Sequence, residues 1–461
     1  MAHTFHRSLP AVLSILCAGV AAGAPIRDGD LDPGFGDGGA AVLPFPGIDT
    51  IINGYSDVGL QADGALLIAV SPIVDSQADF GVVRLDADGT LDTGFGVDGA
   101  AIVAFDRVDS GLDDLVRGMV VQPDGKIVLS GDASGADSDH DFAIARLTAA
   151  GLPDSGFGTS GKVLVPFNLG AVGHRSDLGY RVELQADGKI LVAGSAENDA
   201  GSVMAIARLQ TGGQRDTGFD DDGRVVVDFG VGQAAALRVR QLADGAHLLA
   251  VGVAAPAGNN DFALAKFNAD GSPDATFAGG GKTTYAFDIG GSLDDIATDF
   301  AELPDGKLLV CGAVEVNAPL NYDFGCVRFL ADGTPDLAFA RVLVPIDTGE
   351  PFYDGALRIE RDVQGRLLVA GFSSRATGNV DFCLIRLTAD GQLDADFGEA
   401  GVRTYASQVG GTDLDNVSHG LALQPDGKIV LAGHARAAGV DGRQIEVVRV
   451  FGDKLFANGF D

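Results

Sequence analysis

The chain is 461 residues long, 46% hydrophobic and 21% charged, with 67 glycines and no tryptophan, and its 64 acidic against 32 basic side chains give a formal net charge of −32. A surface this acidic repels phosphate backbones and anionic lipid, so nucleic-acid binding and peripheral membrane docking are excluded. The apolar fraction, with glycines in no three-residue period, also excludes a disordered or collagen-like chain.

In chain order, the first predicted element is an export signal over 1–24. His6 and Arg7 form a weakly positive start, Leu9 to Val20 is almost wholly apolar, and Ala21-Ala22-Gly23-Ala24 supplies small residues for cleavage after Ala22 or Ala24. Leu16 precedes Cys17 where lipid attachment needs a small residue, so no lipidation is expected. The apolar stretch is short for a bilayer span, and no other segment reaches about 18 apolar residues. The expectation is an exported protein (periplasm, cell surface or medium) with no transmembrane segment after cleavage.

From there the chain repeats. Turn glycines fall at Gly64, Gly125, Gly188, Gly245, Gly306, Gly365 and Gly427, separated by 61, 63, 57, 61, 59 and 62 residues. A seven-fold period near sixty specifies a repeat architecture. The repeat region runs over 30–452, in units of about 37–98, 99–160, 161–222, 223–280, 281–340, 341–400 and 401–452. In the second unit, strands are predicted over Ala100 to Phe105, Val116 to Gln122, Lys126 to Ser130 and Asp141 to Leu147. Pro123-Asp124-Gly125 makes the hairpin turn, with glycine taking the positive φ. These four strands are expected to form one antiparallel sheet.

Stretches such as Phe142-Ala143-Ile144-Ala145-Arg146-Leu147 are apolar on both faces, as in a sheet sandwiched between two neighbours. Seven such sheets around an axis predict an all-β, seven-bladed β-propeller. The linker motif Asp-x-x-Phe starts at Asp32, Asp92, Asp154, Asp216, Asp274, Asp336 and Asp394. An open row of seven units needs one copy fewer. The extra copy, Asp32 to Phe35, precedes the first strand, where it can dock beside the seventh unit and close a circle.

The units resemble the bacterial delta-60 repeat family, a β-propeller repeat of uncharacterised function. The matching stretches are Gln122-Pro123-Asp124-Gly125-Lys126-Ile127-Val128-Leu129-Ser130-Gly131, Asp141-Phe142-Ala143-Ile144-Ala145-Arg146-Leu147 and Asp154-Ser155-Gly156-Phe157-Gly158. Departures are Gln364 for the turn Asp, Gly212 for the Asp of another turn, and Lys266 for the usual Arg. The resemblance implies the fold and a secreted or envelope setting, and brings no catalytic residues. The ending 453–461, with Leu455-Phe456-Ala457-Asn458-Gly459-Phe460-Asp461, falls outside the repeat. It resembles a Phe-x-x-Gly-Phe-acidic ending of some exported proteobacterial proteins and is read as a final strand or frayed tail.

Arg84, Arg146, Arg208, Arg328, Arg386 and Arg449 hold one place in each repeat, a few residues before a linker Asp. A fixed place of this kind serves the repeat, so a structural ion pair is expected rather than a ring of anion ligands. Phenylalanines recur in the linkers (Phe35, Phe95, Phe157, Phe219, Phe277, Phe339, Phe397), at first-strand ends (Phe45, Phe105, Phe167, Phe229, Phe287) and after a strand-opening Asp (Phe80, Phe142, Phe262, Phe324, Phe382). Those places take 17 of the 26, which marks them as packing between blades and not a ligand platform. Signal cleavage leaves Cys311, Cys326 and Cys383, an odd count that argues against a disulfide framework. All three are read as buried thiols, the alternative being a pairing of Cys311 with Cys326, which sit on consecutive strands of one repeat.

Asp137-Ser138-Asp139-His140-Asp141 has the alternating acids of a calcium loop but lacks its Gly and its downstream Glu. Asp220-Asp221-Asp222 and Asp294-Asp295 are similar acidic clusters. His140, His174, His247, His419 and His434 share no metal-ligand spacing, and no G-x-S-x-G, H-E-x-x-H or phosphate loop occurs. No catalytic, cofactor-binding or metal-ligating residue is assigned, and no cofactor is expected beyond the calcium that the acidic loops allow.

In an up-and-down sheet alternate connections lie at opposite ends. The Asp-Gly hairpins and linkers therefore share one repetitive end, and the other collects loops that differ between units: Gly170 to Ser176, Asp132 to His140, Pro256 to Asn260, Glu315 to Tyr322 and Thr348 to Tyr353. Variable loops on a rigid scaffold are where binding is placed, with the central channel second. The expectation is a monomeric, non-catalytic scaffold that binds a protein or glycan through that loop face. The alternatives are a secreted propeller hydrolase or lyase with carboxylates and a histidine at the channel mouth, and a calcium-dependent surface or matrix protein.

Overall fold

The computed structural model describes residues 26–452, without 49–50, 52–55, 106–112, 136–138, 171–175, 231, 256–257, 290–293, 317–320, 340, 347–352, 375–379, 407–415 and 437–442. The predicted export signal and the C-terminal ending lie outside the described residues. Secondary structure among the described residues is β throughout, and no helix is long and apolar enough to cross a membrane.

Seven four-stranded antiparallel sheets account for almost every strand. The second is typical: Asp114–Val121, Ile127–Ser134, His140–Leu147 and Lys162–Val165 follow one another in space as in sequence. The innermost strands of the seven sheets touch in cyclic order, the seventh meeting the first, so the array is a closed seven-bladed propeller. Ile127–Ser134 is buried along its whole length, as expected of a strand sandwiched between neighbouring sheets. Gly125 turns the hairpin at φ 82°. Gly131 serves close packing instead, since an added Cβ would meet the Leu115 carbonyl oxygen at 1.9 Å.

The sheets correct the predicted unit in one respect. Ala100–Val103, read as the first strand of the second unit, is the outer strand of the first sheet, paired with Phe80–Leu85. Hydrogen bonds within the linker explain this. Asp92 N–H donates to the Arg84 carbonyl (3.0 Å), Gly99 N–H to that of Phe95 (2.9 Å) and Arg84 N–H to that of Gly99 (3.1 Å). The linker is thus a tight wrap that returns the chain to the sheet it left. Every sheet consequently takes its outer strand from the following unit. The seventh has no following unit and takes Ala40–Leu43 from the other end of the chain, with Ala40 opposite Val448 and Leu43 opposite Ile445.

The repeated arginines are structural, as expected. Arg146 Nε donates to Asp154 Oδ2 (2.8 Å), Nη1 reaches the Thr211 carbonyl on the next blade (2.5 Å), and the guanidinium lies 4.5 Å over the Phe157 ring. The same arrangement recurs around the ring, with Lys266 paired to Asp274 in the fourth blade. Its last copy spans the closure: Arg449 Nε donates to Asp32 Oδ2 at 2.7 Å across 417 residues of sequence. The linker phenylalanines are buried among these contacts, and Phe80 with Phe105, Phe142 with Phe167 and Phe262 with Phe287 pair at 4.9 to 5.2 Å.

The cysteine reading needs correction. Cys311 and Cys326 form a disulfide, because strand register sets them directly opposite with Cα atoms 4.1 Å apart. The odd count reflects only Cys383, a free and buried thiol.

Candidate functional site

Six of the innermost strands carry a β-bulge, which leaves Arg117, Tyr180, Leu237, Thr298, Leu357 and His419 unpaired in the ladder. A bulge re-aims the residue beside it. The positions that follow are Gly118, Arg181, Arg238, Asp299, Arg358 and Gly420, with Asp57 in the first blade, and each stands seven residues ahead of its turn glycine. Glycine occupies two of them because the adjoining blade is too close: an added Cβ would lie 2.9 Å from the Tyr180 carbonyl oxygen at Gly118 and 2.8 Å from Val58 N at Gly420.

The other five side chains meet on the axis. Asp57 Oδ2 accepts from Arg181 Nη1 at 3.0 Å and from Met119 N–H at 3.0 Å, and lies 2.5 Å from Arg358 Nη2. These residues come from the first, third and sixth blades, so Asp57 can bond both arginines only if the channel is shut at this level. Arg358 Nε and Arg181 Nη2 also donate to the His419 carbonyl, at 3.1 and 3.4 Å. Asp299 Oδ1 faces Arg238 Nε (3.5 Å) and Arg240 Nη1 (3.4 Å), while its Oδ2 accepts from Ile359 N–H at 3.1 Å. Glu183 stands 3.0 Å from Arg238 and Glu360 stands 3.6 Å from Arg240.

Four arginines thus balance four carboxylates, and Asp57 and Asp299 are 4% and 0% exposed. Burial raises the Asp57 pKa, but Arg358 and Arg181 more than offset it and hold the carboxyl below its usual range. Burial, with Arg358 nearby, pulls Arg181 down to about 9. The cluster neutralises its own charges and plugs the channel, with Arg238 Nε left without a hydrogen bond of good geometry. The channel, second choice as a functional surface, is therefore closed across its middle. Sequence reading overlooked these five residues, although their shared offset from the turn glycines was a usable signal.

Of the scattered histidines, His174 lies outside the described residues, and the described ones are not gathered into one site. His419 and His434 stack with centroids 5.5 Å apart. Burial lowers both pKa values, well below the ordinary range for His419 and to about 3 for His434, so both rings are neutral at physiological pH. At the loop end of the second blade, Asp132 sits 2.5 Å from Arg117 Nε and 3.2 Å from His140 Nδ1, and its hydrogen bond raises the His140 pKa. Ser134 Oγ lies 3.3 Å from the same Nδ1. A nucleophilic triad needs Ser and Asp on opposite ring nitrogens, so this trio is not one.

The connections alternate as predicted, which sets hairpins and linkers at one end and the variable loops at the other. Parts of all five predicted loops (171–175, 136–138, 256–257, 317–320 and 347–352) lie outside the described residues. What is described there includes aromatics between the fifth and sixth blades. Tyr353 stacks on Phe372 (5.2 Å, 20°), meets Tyr322 edge-on (5.1 Å) and is 42% exposed. Its backbone is pinned by Ser374, whose Oγ accepts from Tyr353 N–H (3.0 Å) and donates to its carbonyl (2.8 Å). Of the acidic clusters, 137–138 lie outside the described residues and Asp222 is taken by Arg224. Among the described residues no group of three or more His, Cys, Asp or Glu is gathered to hold a metal ion.

The profile of the domain of unknown function (DUF5122) beta-propeller matches residues 61–95, 122–157, 185–219, 247–277, 303–339, 365–397 and 424–451, once per repeat and over half the chain. The chain belongs to the DUF5122 β-propeller family. The architecture is the one that the delta-60 resemblance implies. Every DUF5122 match takes in the second and third strands of its sheet; the fourth begins at 247, past the turn glycine Gly245, and the seventh ends at 451, because its linker, Asp32 to Phe35, lies at the other end of the chain. No curated protein matches this chain in sequence. Solved structures similar to the DUF5122 chain include a protein of unknown function from Dyadobacter fermentans (12% identity, 91% of this chain and 100% of that one, TM-score 0.49). Others are the polysaccharide lyase Uly1 (10%, 95% and 94%, 0.45) and the α-L-arabinofuranosidase Arb93A from Fusarium graminearum (11%, 89% and 96%, 0.40).

Proposed function

We propose that this DUF5122 propeller is an exported, monomeric, non-catalytic scaffold that binds an envelope glycan or protein through its variable loop face. The observation that carries the reading is Tyr353, held rigidly at that end and left exposed on a stacked aromatic base. Aromatic side chains with a polar tip are favoured recognition groups because they offer large contact area at little entropic cost. The self-neutralised axial plug supports the same reading, since a filled channel leaves recognition to the loops. The disulfide is consistent with an oxidising compartment.

The test is binding of the purified chain to a glycan panel and to envelope fractions. Tyr353→Ala is expected to weaken binding while the melting temperature stays unchanged. Val363→Ser, at an exposed hairpin on the opposite end, is expected to bind normally. Loss of binding in the hairpin variant alone would place the surface at the wrong end. Turnover of any polysaccharide or ester by the chain would overturn the non-catalytic reading.

A further inference from the structure

In four of the seven blades the outer strand opens on a cation that reaches back to the blade before it. Lys162, Arg224, Lys282 and Arg341 donate to the carbonyls of Ala104, Pro166, Asp228 and Phe287, just past the preceding outer strand. Each lies 5.3 to 5.8 Å from the ring centroid of the phenylalanine at that strand's end, Phe105, Phe167, Phe229 and Phe287 in turn. The other three blades have Ala100, Val402 and Ala40 in the cation's place, as the register shows: Lys162 stands opposite Ala145, and Ala100 stands opposite Val83. Where Val402 and Ala40 replace the cation, the sequence has Ile346 and Ser407 in place of the phenylalanine as well. Between the seventh and first blades it does not. Ala100 has replaced the cation there, yet Pro44-Phe45 keeps the ending of Pro166-Phe167.

That junction holds a groove of about 430 Å³, lined by Phe45, Ala100, Ile102, Val97 and Leu152, with Asp98 among them and no lysine, arginine or histidine from the described residues. Val97, Leu152 and Ile102 are 75%, 56% and 43% exposed. Two of these three depart from the repeat. Val97 stands five residues past a linker Asp, where other linkers have Asp37, Thr159, Asp221, Gly279 and Glu399. Leu152 stands two residues ahead of a linker Asp, where the others have Asp30, Thr90, Gln214, Ser272, Thr334 and Gln392. The other blades fold without an apolar side chain at either place, so folding does not require these two. Apolar side chains exposed together mark an interaction surface. Three departures from the repeat thus converge on one groove: a cation replaced while its phenylalanine stays, and two apolar residues at its sides.

We propose that this rim groove binds an extended segment of a basic partner protein, whose lysine or arginine enters beside Phe45 and supplies the cation that Ala100 lacks. The Pro44 carbonyl and the Phe45 ring receive it, as Pro166 and Phe167 receive Arg224. Burial of the ring is no obstacle. Phe287 is as buried as Phe45, both at 1% exposed, and still has Arg341 at 5.6 Å. Apolar side chains flanking the cation cover Val97, Ile102 and Leu152, and Ala100–Val103 is the outermost strand of its sheet, where an extended segment can pair. Charge selects the partner. The chain carries −32, so a second copy is repelled and a basic segment is attracted, with Asp98 in the groove favouring the same sign. The site is independent of the loop-face partner.

The probe is a random library of short peptides presented to the purified chain, with the enriched peptides then made singly and titrated. They are expected to carry a lysine or arginine between apolar residues, and to bind about ten-fold more weakly when glutamine replaces that residue. Ala100→Lys supplies the cation from within, as Lys162 does in the second blade, and is expected to abolish this binding while raising the melting temperature. Leu152→Thr installs the residue type of Thr90 and Thr334 and is expected to weaken binding about three-fold with the melting temperature unchanged, which keeps the test decisive if Ala100→Lys misfolds. Tyr353→Ala is expected to leave peptide binding intact, which separates this groove from the loop face. No enrichment, enrichment of peptides without a basic residue, or affinity unchanged in both Ala100→Lys and Leu152→Thr would overturn the proposal. A concentration-dependent dimer that Leu152→Thr abolishes would overturn it too, since the groove would then hold a second copy.

Discussion

Asp32→Asn tests ring closure, and the other blades supply its control. In the closed ring Asp32 lies 2.7 Å from both Nε and Nη2 of Arg449 and 3.4 Å from Lys428 Nζ, and its Oδ1 accepts from Gly34 N–H at 3.0 Å. Both side chains of the Arg449 pair are 7% exposed. Removing one charge of a buried pair strands the other, at about 3–5 kcal/mol. Asparagine keeps a carbonyl acceptor, so the lower end, about 3 kcal/mol, is expected. The equivalent change Asp92→Asn breaks the same pair where its partners are 17% and 24% exposed. Solvent should screen that loss to about 1 kcal/mol. Unfolding entropy for a chain of this size is on the order of 0.9 kcal/mol/K, so Asp32→Asn should lower the melting temperature by ~3 °C and Asp92→Asn by ~1 °C. Calorimetry measures both, and limited proteolysis should cut the Asp32→Asn variant sooner on the N-terminal side of Ala40–Leu43. If Asp92→Asn proves the more damaging, the Asp32–Arg449 staple does not hold the ring shut.

Asp57→Asn should be among the most destabilising single changes, by about 3–5 kcal/mol in chemical denaturation, because two buried arginines lose their shared carboxylate. A neutral result would mean that water reaches the axis. Burial, with Asp141 nearby, pushes Asp177 up to about 6. The folded state therefore binds the proton more tightly than the unfolded state, and this contribution is full below pH 4 and lost as pH rises through 6, at about 3 kcal/mol. Asp177→Asn should flatten that slope and gain stability relative to the parent at pH 8. Cys326→Ser should cost about 3 kcal/mol, the scale for a bridge closing 15 residues. Thiol titration of the denatured, unreduced chain should count only Cys383 if the 1–24 segment has been removed, and Cys17 in addition if it has not.

Much of this molecule is written locally and written repeatedly. Each hairpin needs a glycine at positive φ, each linker needs its Asp and Phe, and each third strand needs a cation within reach of that Asp, an arginine in six blades and Lys266 in the fourth. Because the spacing recurs, the seven blades, the ion pairs and the buried phenylalanines follow from the sequence alone, and so does the end of the propeller that varies. Three features do not. A periodic sequence fixes its period but not its phase, so which sheet Ala100–Val103 completes depends on where the linker's hydrogen bonds turn the chain. The axial residues read singly as ordinary strand charges; Asp57, Arg181 and Arg358 become partners only when closure brings the first, third and sixth blades to one axis. Cys311 and Cys326 likewise needed a register to become a bridge. Local sequence determined the parts and their number, because turns and hydrophobic faces are short-range. The plug, the staple at the closure and the Asp141–Asp177 pair between blades were decided by the ring, because charges far apart in sequence can neutralise or repel one another only once it has closed.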